Sequence, residues 1–473
     1  MSKSKQLRSY FWSFANSGGS QIIGFLSTML IARVASPTDF GLIAICSSIV
    51  LVSTILSEAG LASTVIVNKD FSVEKSSTIL VVVSGASILI FCMVVAFTSE
   101  LAEFVEQNRV AEILPVMALT ILANGFRCVH SAVLQRRLQF KKLSVIYLVC
   151  VSVGSSIGVL VAYLHEPLIG LVTVFVLSPI MSTAALWIFA PWGFYFYCKP
   201  KLLYSDIGFT LNVTLSSFLD QATKAVLVFF LNNRFGVSDL GLYSRAEAIK
   251  NLSTQTLDKV IQRVSFPILS RKNHESLDNA IDGYIRISAT LSSILIPLMY
   301  LFFNYAESII LILYGPNWGE SEPILKKIVF IGFFAALTSQ NSTVFKALGR
   351  PKIMSYNKSL GLFTLPLVFT LMDSSQMLEV LDGLIVYSVV LYGVSVMCLL
   401  SLGTVHLVRY VKYVFGASFL SLAIIFIHCL MLDIPVRNVL LNLAVNGISL
   451  LILIALVYYG IYFLIKGMRD GKA

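Results

Sequence analysis

Charged and hydrogen-bonding side chains recur at helical spacing inside strongly apolar stretches of this sequence. Six of them, spaced by 3, 1, 3, 4 and 4 residues, share one helical face: Glu247, Lys250, Asn251, Thr254, Asp258 and Gln262. Charges that face lipid are costly, so a stripe of this kind must face water or a polar partner. We therefore expect a water-filled cavity in which these side chains bind a polar or charged ligand.

Two further stripes carry the same kind of residue. The first has steps of four residues: Asn212, Ser216, Asp220 and Lys224. The second comprises Asn124, Arg127, Ser131 and Gln135. Cations deep in a span are functional by default, so Arg127, Lys224 and Lys250 are the candidate anion ligands. Asn212, Asn251, Thr254 and Gln262 are the candidate hydrogen-bonding groups, and an Asp220–Lys224 pair could instead be purely structural.

Four acids lie inside the apolar stretches: Glu58, Asp220, Glu247 and Asp258. One of them is expected to bind H⁺ or Na⁺ as a coupling ion. Asp220 is the first choice, because an ion could compete with Lys224 for it. We expect no metal site, no catalytic residue and no other cofactor. The seven cysteines form no CxxC pair, and phosphate-loop, GxSxG and HExxH motifs are absent from the sequence.

The elements that must hold these residues are membrane-spanning helices. Of the 473 residues, 57% are hydrophobic and only 13% are charged, and the mean hydropathy is +0.83. A soluble protein carries about 25% charged residues. The apolar residues fall in blocks near the length of about 20 residues that crosses a bilayer core. This composition excludes a soluble globular enzyme.

The net charge of +10 follows the membrane topology and does not indicate a nucleic-acid partner. Basic residues concentrate in alternate loops, as at 136–142, and acidic residues in the loops between them, as at 100–112. This positive-inside bias predicts a multi-pass membrane protein with both termini in the cytoplasm.

The apolar blocks predict an all-α polytopic membrane protein with about 14 transmembrane helices. The predicted spans are 9–34, 40–67, 76–99, 111–135, 143–164, 168–190, 205–232, 240–266, 282–306, 322–347, 352–372, 379–404, 412–432 and 437–465.

The sequence also predicts an internal repeat. An Asp-x-Gly-Leu element follows the first span at Asp39 and the seventh at Asp239, 200 positions later. A second similarity relates 133–141, after the fourth span, to 344–352, after the tenth. Six spans separate each pair, so the repeat is parallel, with the ligand expected between two bundles near the bilayer midplane. The predicted domains are a six-helix lobe at 1–199, a second at 200–405 and an additional helix pair with a cytoplasmic tail at 406–473.

Several of these segments resemble the polysaccharide-transporter family, the Wzx-type oligosaccharide flippases of the multidrug/oligosaccharidyl-lipid/polysaccharide exporter superfamily. The similar segments are Leu30 to Leu42, Glu58 to Val67, Leu134 to Phe140, Gly241 to Ala246, Phe266 to Arg271, Leu313 to Trp318 and Ala347 to Lys352. The resemblance covers roughly residues 5 to 405. Glu58 departs from the family pattern, where an Asp is expected.

The resemblance implies a non-enzymatic flippase that moves an undecaprenyl-pyrophosphate-linked oligosaccharide from the cytoplasmic to the periplasmic leaflet by alternating access. Its partners would be this lipid-linked oligosaccharide, the bilayer and the polysaccharide polymerase and chain-length machinery, with the chain acting as a monomer. Two alternatives stay open. An ion-coupled multidrug or small-cation exporter of the same superfamily would have an acidic cavity. A membrane glycosyltransferase or polymerase would show a large external loop or a metal-binding motif.

Overall fold

A computed structural model of the chain describes residues 3–58, 60–67, 72–252, 254, 265, 269, 277–372, 374–401, 410, 414 and 425. Within these ranges the side chains at 3–11, 13–15, 17, 67, 205, 209, 212, 213, 279 and 351 are not described. The described part contains helices and no strand. The helices are α1 Lys3–Ala32, α2 Pro37–Glu58, α3 Leu61–Val67, α4 Val73–Ala96, α5 Thr98–Phe104, α6 Asn108–Arg136, α7 Phe140–Leu164, α8 Pro167–Phe189, α9 Ile207–Phe235, α10 over 237–252, α11 Leu277–Asn304, α12 Ala306–Leu313, α13 Ser321–Ala347, α14 Pro351–Leu371 and α15 Met377–Leu400.

A long helix overlaps each of the first twelve predicted spans, namely α1, α2, α4, α6 to α11 and α13 to α15. Of the eighth span, 240–266, the structure describes only 240–252, 254 and 265. Within the described residues, nine helices are long and apolar enough to cross a bilayer. The prediction of an all-helical, multi-pass membrane protein is confirmed. The last two predicted spans, 412–432 and 437–465, lie outside the described residues except for isolated positions, so the count of fourteen remains a prediction.

The element order repeats along the chain, as the sequence predicted. Both halves run from a long helix through a short helix to three further long helices: α4 to α8 in the first, α11 to α15 in the second. Even the helix ends agree. The same two backbone hydrogen bonds form after α6, from Leu138 to Gln135 and from Gln139 to Leu134, and after α13, from Gly349 to Lys346 and from Arg350 to Phe345. Together these two hydrogen bonds cap the C-terminus of a helix and require a residue with positive φ.

The described residues pack into two compact units. Unit 1 runs from α1 to Ala248 and includes the middle of α14, Lys358–Leu367, together with Ser375–Met377. Unit 2 begins at Ile249 and contains α11 to α13, α15 and the ends of α14. In unit 1, α6 packs against α2, α4 and α8. In unit 2, α11 packs against α13.

The repeated Asp-x-Gly-Leu elements contact each other within unit 1. Asp39 caps α2, because its Oδ2 accepts the Ser36 N–H at 2.8 Å and its own N–H donates to Ser36 Oγ at 3.3 Å. A Cβ on Gly41 would lie 1.9 Å from the Val237 carbonyl oxygen, and one on Gly241 would lie 1.8 Å from the Pro37 carbonyl oxygen. Only glycine permits this approach, so the repeated glycines hold α2 and α10 together at these ends.

The predicted span 40–67 is two helices in the structure. Helix α2 ends at Glu58 and α3 begins at Leu61. Gly60, between them, has a φ of 64°, a left-handed conformation that ends a helix. The continuous span was therefore wrong at Gly60, since hydropathy does not register a single left-handed residue.

Candidate functional site

Arg127 lies in unit 1, where side chains from three helices orient its guanidinium. Its Nη1 donates to Ser182 Oγ of α8 at 2.8 Å, and its Nη2 donates to Asn124 Oδ1, one turn earlier on α6. The guanidinium carbon stands 5.2 Å from the centre of the Tyr147 ring of α7, within cation–π range. Arg127 is thus a half-buried cation held in one orientation inside a spanning helix.

Glu58 belongs to the same polar region. It is half-buried at the last position of α2, and it interacts electrostatically with Arg127. The two residues lie on different helices, so spacing along one helix could not predict that their charges interact.

Asp220 forms a second polar group, in which its partner is Lys358 of α14. The Lys358 Nζ is 2.5 Å from Asp220 Oδ2, 3.1 Å from Ser216 Oγ and 3.4 Å from the Ser216 carbonyl oxygen. The structure thus pairs Asp220 with Lys358, whereas Lys224, considered as its partner from the sequence, is exposed on the next turn of α9.

Sequence reasoning missed Lys358, although a signal was present. The lysine lies six residues inside the predicted span 352–372, and an ionisable residue in a span is a functional candidate by default. Its acid is 138 residues away along the chain. Its partner was therefore visible only in three dimensions.

Two residues of the α10 stripe, Lys250 and Thr254, belong to unit 2. Thr254 Oγ1 donates to the Lys250 carbonyl oxygen at 2.8 Å, and both side chains line a cavity of about 20 Å³, which has room for one water molecule. The Lys250 stem packs against Gly332 of α13, where an added Cβ would lie 2.7 Å from the lysine Cγ. Glycine at 332 therefore makes the space that the lysine occupies.

The remaining predicted residues are not gathered into one place by the described structure. Glu247 and Asn251 are half-buried on α10. The side chains of Asn212, Asp258 and Gln262 lie outside the described residues. Among the residues that are described, no group of three or more His, Cys, Asp or Glu side chains could hold a metal ion.

Sequence comparisons place the chain among polysaccharide biosynthesis proteins. A family model described as "Polysaccharide biosynthesis protein" matches residues 30–323, more than half of the chain. The chain is 23% identical over 322 residues to the succinoglycan biosynthesis transport protein ExoT of Rhizobium meliloti (strain 1021), a match that covers 67% of this chain and 64% of the relative. It is 20% identical over 338 residues to the lipopolysaccharide biosynthesis protein WzxC of Escherichia coli (strain K12), covering 70% and 68% of the two chains. The match thus spans slightly less than two thirds of the succinoglycan protein.

Two solved structures show the fold. The lipid II flippase MurJ in an inward closed conformation aligns with a TM-score of 0.76 at 14% identity, covering 96% of this chain and all of that one. An inward-facing multidrug resistance transporter of the MATE family aligns with a TM-score of 0.57 at 13% identity, covering 83% and 95%. At these identities the likeness defines the architecture alone.

Proposed function

We propose, because the chain belongs to the polysaccharide biosynthesis protein family, that it is a flippase for a lipid-linked oligosaccharide. The substrate would be an oligosaccharide on undecaprenyl pyrophosphate, moved from the cytoplasmic to the periplasmic leaflet of the bacterial inner membrane for O-antigen, capsule or exopolysaccharide assembly. The observation that carries the proposal is Arg127, a cation held in one orientation inside the spanning helix α6. The multi-pass fold that the chain shares with a lipid II flippase supports it.

The chemistry of the cations suits a pyrophosphate. The two hydrogen bonds of Arg127, to Ser182 and Asn124, use two of the five guanidinium N–H groups. The others can meet phosphate oxygens in the forked geometry that arginine favours. Lys224 and Lys250 would add point charges, while Asn251 and Thr254, with Asn212 and Gln262, would bind the sugars. The lipid tail would stay in the bilayer.

The coupling ion belongs to the same proposal. Asp220 remains the first choice among Glu58, Asp220, Glu247 and Asp258, with Na⁺ or H⁺ as the ion. The ion pair with Lys358 changes the expected competition, because a cation that binds Asp220 must now displace the Lys358 ammonium. Transport by reconstituted Asp220→Asn that kept full dependence on the ion gradient would contradict this assignment.

The direct test is reconstitution of the purified full-length chain in liposomes. Fluorescent lipid-linked oligosaccharide placed in one leaflet should become accessible to a membrane-impermeant quencher on the other side faster than in protein-free liposomes. Accumulation of an organic cation such as rhodamine 6G, without movement of the lipid, would favour the multidrug exporter. Sugar-chain elongation in the same vesicles would favour a polymerase.

A further inference from the structure

Lys358 and Asp220 join α14 to α9 through a fully engaged ammonium group. Its three acceptors are Asp220 Oδ2 at 2.5 Å, Ser216 Oγ at 3.1 Å and the Ser216 carbonyl oxygen at 3.4 Å. A lysine ammonium has three N–H groups, so α9 supplies one oxygen for each of them. The oxygens of α9 therefore form a cation-binding cradle that the chain fills with its own lysine.

Helix packing alone does not explain this ion pair. Ion pairs that water can reach contribute little to stability, and here 22% of the Lys358 side chain and 52% of the Asp220 side chain are exposed. A carboxylate exposed within a spanning helix must meet water, because contact with lipid is costly. Both charges are therefore within reach of a ligand in an aqueous cavity.

The surrounding charges favour an anionic ligand. Lys224 follows Asp220 by one helical turn, so the two side chains share a face of α9, and Lys224 is exposed. The cluster of Ser216, Asp220, Lys224 and Lys358 thus holds two ammonium groups and one carboxylate, an excess of one positive charge. A pyrophosphate that reached both lysines would offer more negative charge than the single carboxylate that now engages Lys358.

On the basis of the proposed function, we infer that Lys358 is a further substrate-binding residue, and that Asp220 holds its ammonium in position until the substrate pyrophosphate replaces the carboxylate. Asp220 is then a positioning residue and an internal competitor of the substrate. Lys224, one turn along α9, would contact the same phosphate groups.

The inference predicts opposite effects for the two members of the pair. The experiment measures binding of undecaprenyl pyrophosphate to the full-length protein in nanodiscs. Asp220→Asn removes the charged competitor and should tighten binding roughly tenfold, whereas Lys358→Met removes a charge-assisted contact and should weaken it roughly tenfold or more. The double variant should bind as weakly as Lys358→Met. A purely structural pair would give losses of the same direction in both single variants, which would overturn the inference.

The pair between Lys327 and Asp382 provides a matched control. It joins α13 to α15 in unit 2, and its side chains are 28% and 57% exposed, close to the values of the proposed pair. Lys327→Met and Asp382→Asn should leave the affinity unchanged. Should Lys358→Met fail to fold, the near-isosteric Asp220→Asn still decides, since unchanged or weaker binding contradicts the inference. Absence of binding by the unmodified protein would instead contradict the proposed function.

Discussion

At the scale of single residues, Arg127 is expected to be essential for transport. Arg127→Ala removes an oriented cation, and the loss of one charge-assisted contact, about 1.5 to 3 kcal/mol, corresponds to a tenfold to hundredfold loss of binding. Complementation of a deletion strain should show polymer export abolished while immunoblots show normal amounts in the membrane. Arg109→Ala is the control, because Arg109 lies on the same helix in an exposed ion pair with Glu166. Normal export by Arg127→Ala would assign the residue a structural role.

The contribution of Lys250 to polymer export is expected to depend on the charge of its side chain more than on the shape. Lys250→Arg should retain partial export, whereas Lys250→Ala should abolish it. The same lysine can be displaced indirectly, since Gly332→Ala places a Cβ 2.7 Å from the Lys250 Cγ and must move its stem. We expect reduced export from Gly332→Ala at normal abundance. Gly393→Ala is the matched control, because no atom lies within 4 Å of an added Cβ there; equal losses in both variants would count against the role of Lys250.

Sequence patterns identified the cations of α6, α9 and α10 because a charge in an apolar stretch is conspicuous wherever it occurs. They did not identify partners. Ser182 and Tyr147 reach Arg127 from other helices, and Lys358 reaches Asp220 across 138 residues. Such pairings depend on tertiary packing, which periodicity along one helix does not encode.

At the scale of helices, the glycine contact between α2 and α10 should be intolerant of any side chain. Gly41→Ala would place a methyl group 1.9 Å from the Val237 carbonyl oxygen, so the helix ends must separate. Forcing extra volume into a packed contact costs about 1 to 3 kcal/mol. The apparent melting temperature of the detergent-purified protein should fall for Gly41→Ala and stay unchanged for Gly24→Ala, where an added Cβ meets nothing within 4 Å. No difference between them would contradict the contact.

The helix ends after α6 and α13 make a second comparison. Leu138 has a φ of 56° and Gly349 a φ of 70° at equivalent positions. An L-residue in this conformation costs about 1 to 2 kcal/mol, and no atom opposes a Cβ at Gly349. We expect Gly349→Leu to fold with a modest decrease in melting temperature and Leu138→Gly to be tolerated. Failure of Gly349→Leu to accumulate in the membrane would indicate that more than backbone strain acts there.

Helix positions followed from hydropathy, but interruptions did not. The short helices α5 and α12 span 7 and 8 residues, too few to show a helical period. The break at Gly60 depends on a single left-handed residue. The repeat was found because the two Asp-x-Gly-Leu elements are similar in sequence, while the reason for the similarity, their mutual contact, required the structure.

At the scale of the whole molecule, the topology remains a prediction that labelling can test. Gln139 and Glu103 are exposed near opposite ends of α6, a helix of 29 residues that is roughly 44 Å long. A cysteine at Gln139 should react from the cytoplasm, and one at Glu103 from outside. Cys92 and Cys198 are exposed and must be replaced first. The reverse labelling pattern would invert the orientation of the chain.

The predicted lobe boundaries, 1–199 and 200–405, follow the repeat and stay a prediction, as does the helix pair at 406–473. The compact units of the described residues have other bounds, because unit 1 continues past residue 199 through α9 to Ala248. The physical reason is that α2 packs against α9 and touches α10. A repeat in sequence therefore need not end where a compact unit ends.

The reciprocal glycine contact has the form of a two-fold interface between identical chains. Gly41 contacts Val237, and Gly241 contacts Pro37. The two glycines are 200 positions apart, and so are the two residues that they contact. In a two-fold dimer, residue i contacts j and j contacts i. Both glycines set the same distance between the ends of α2 and α10. The Gly41→Ala, Gly241→Ala double variant should therefore lose less stability than the sum of the two single losses. Strict additivity would show two independent contacts.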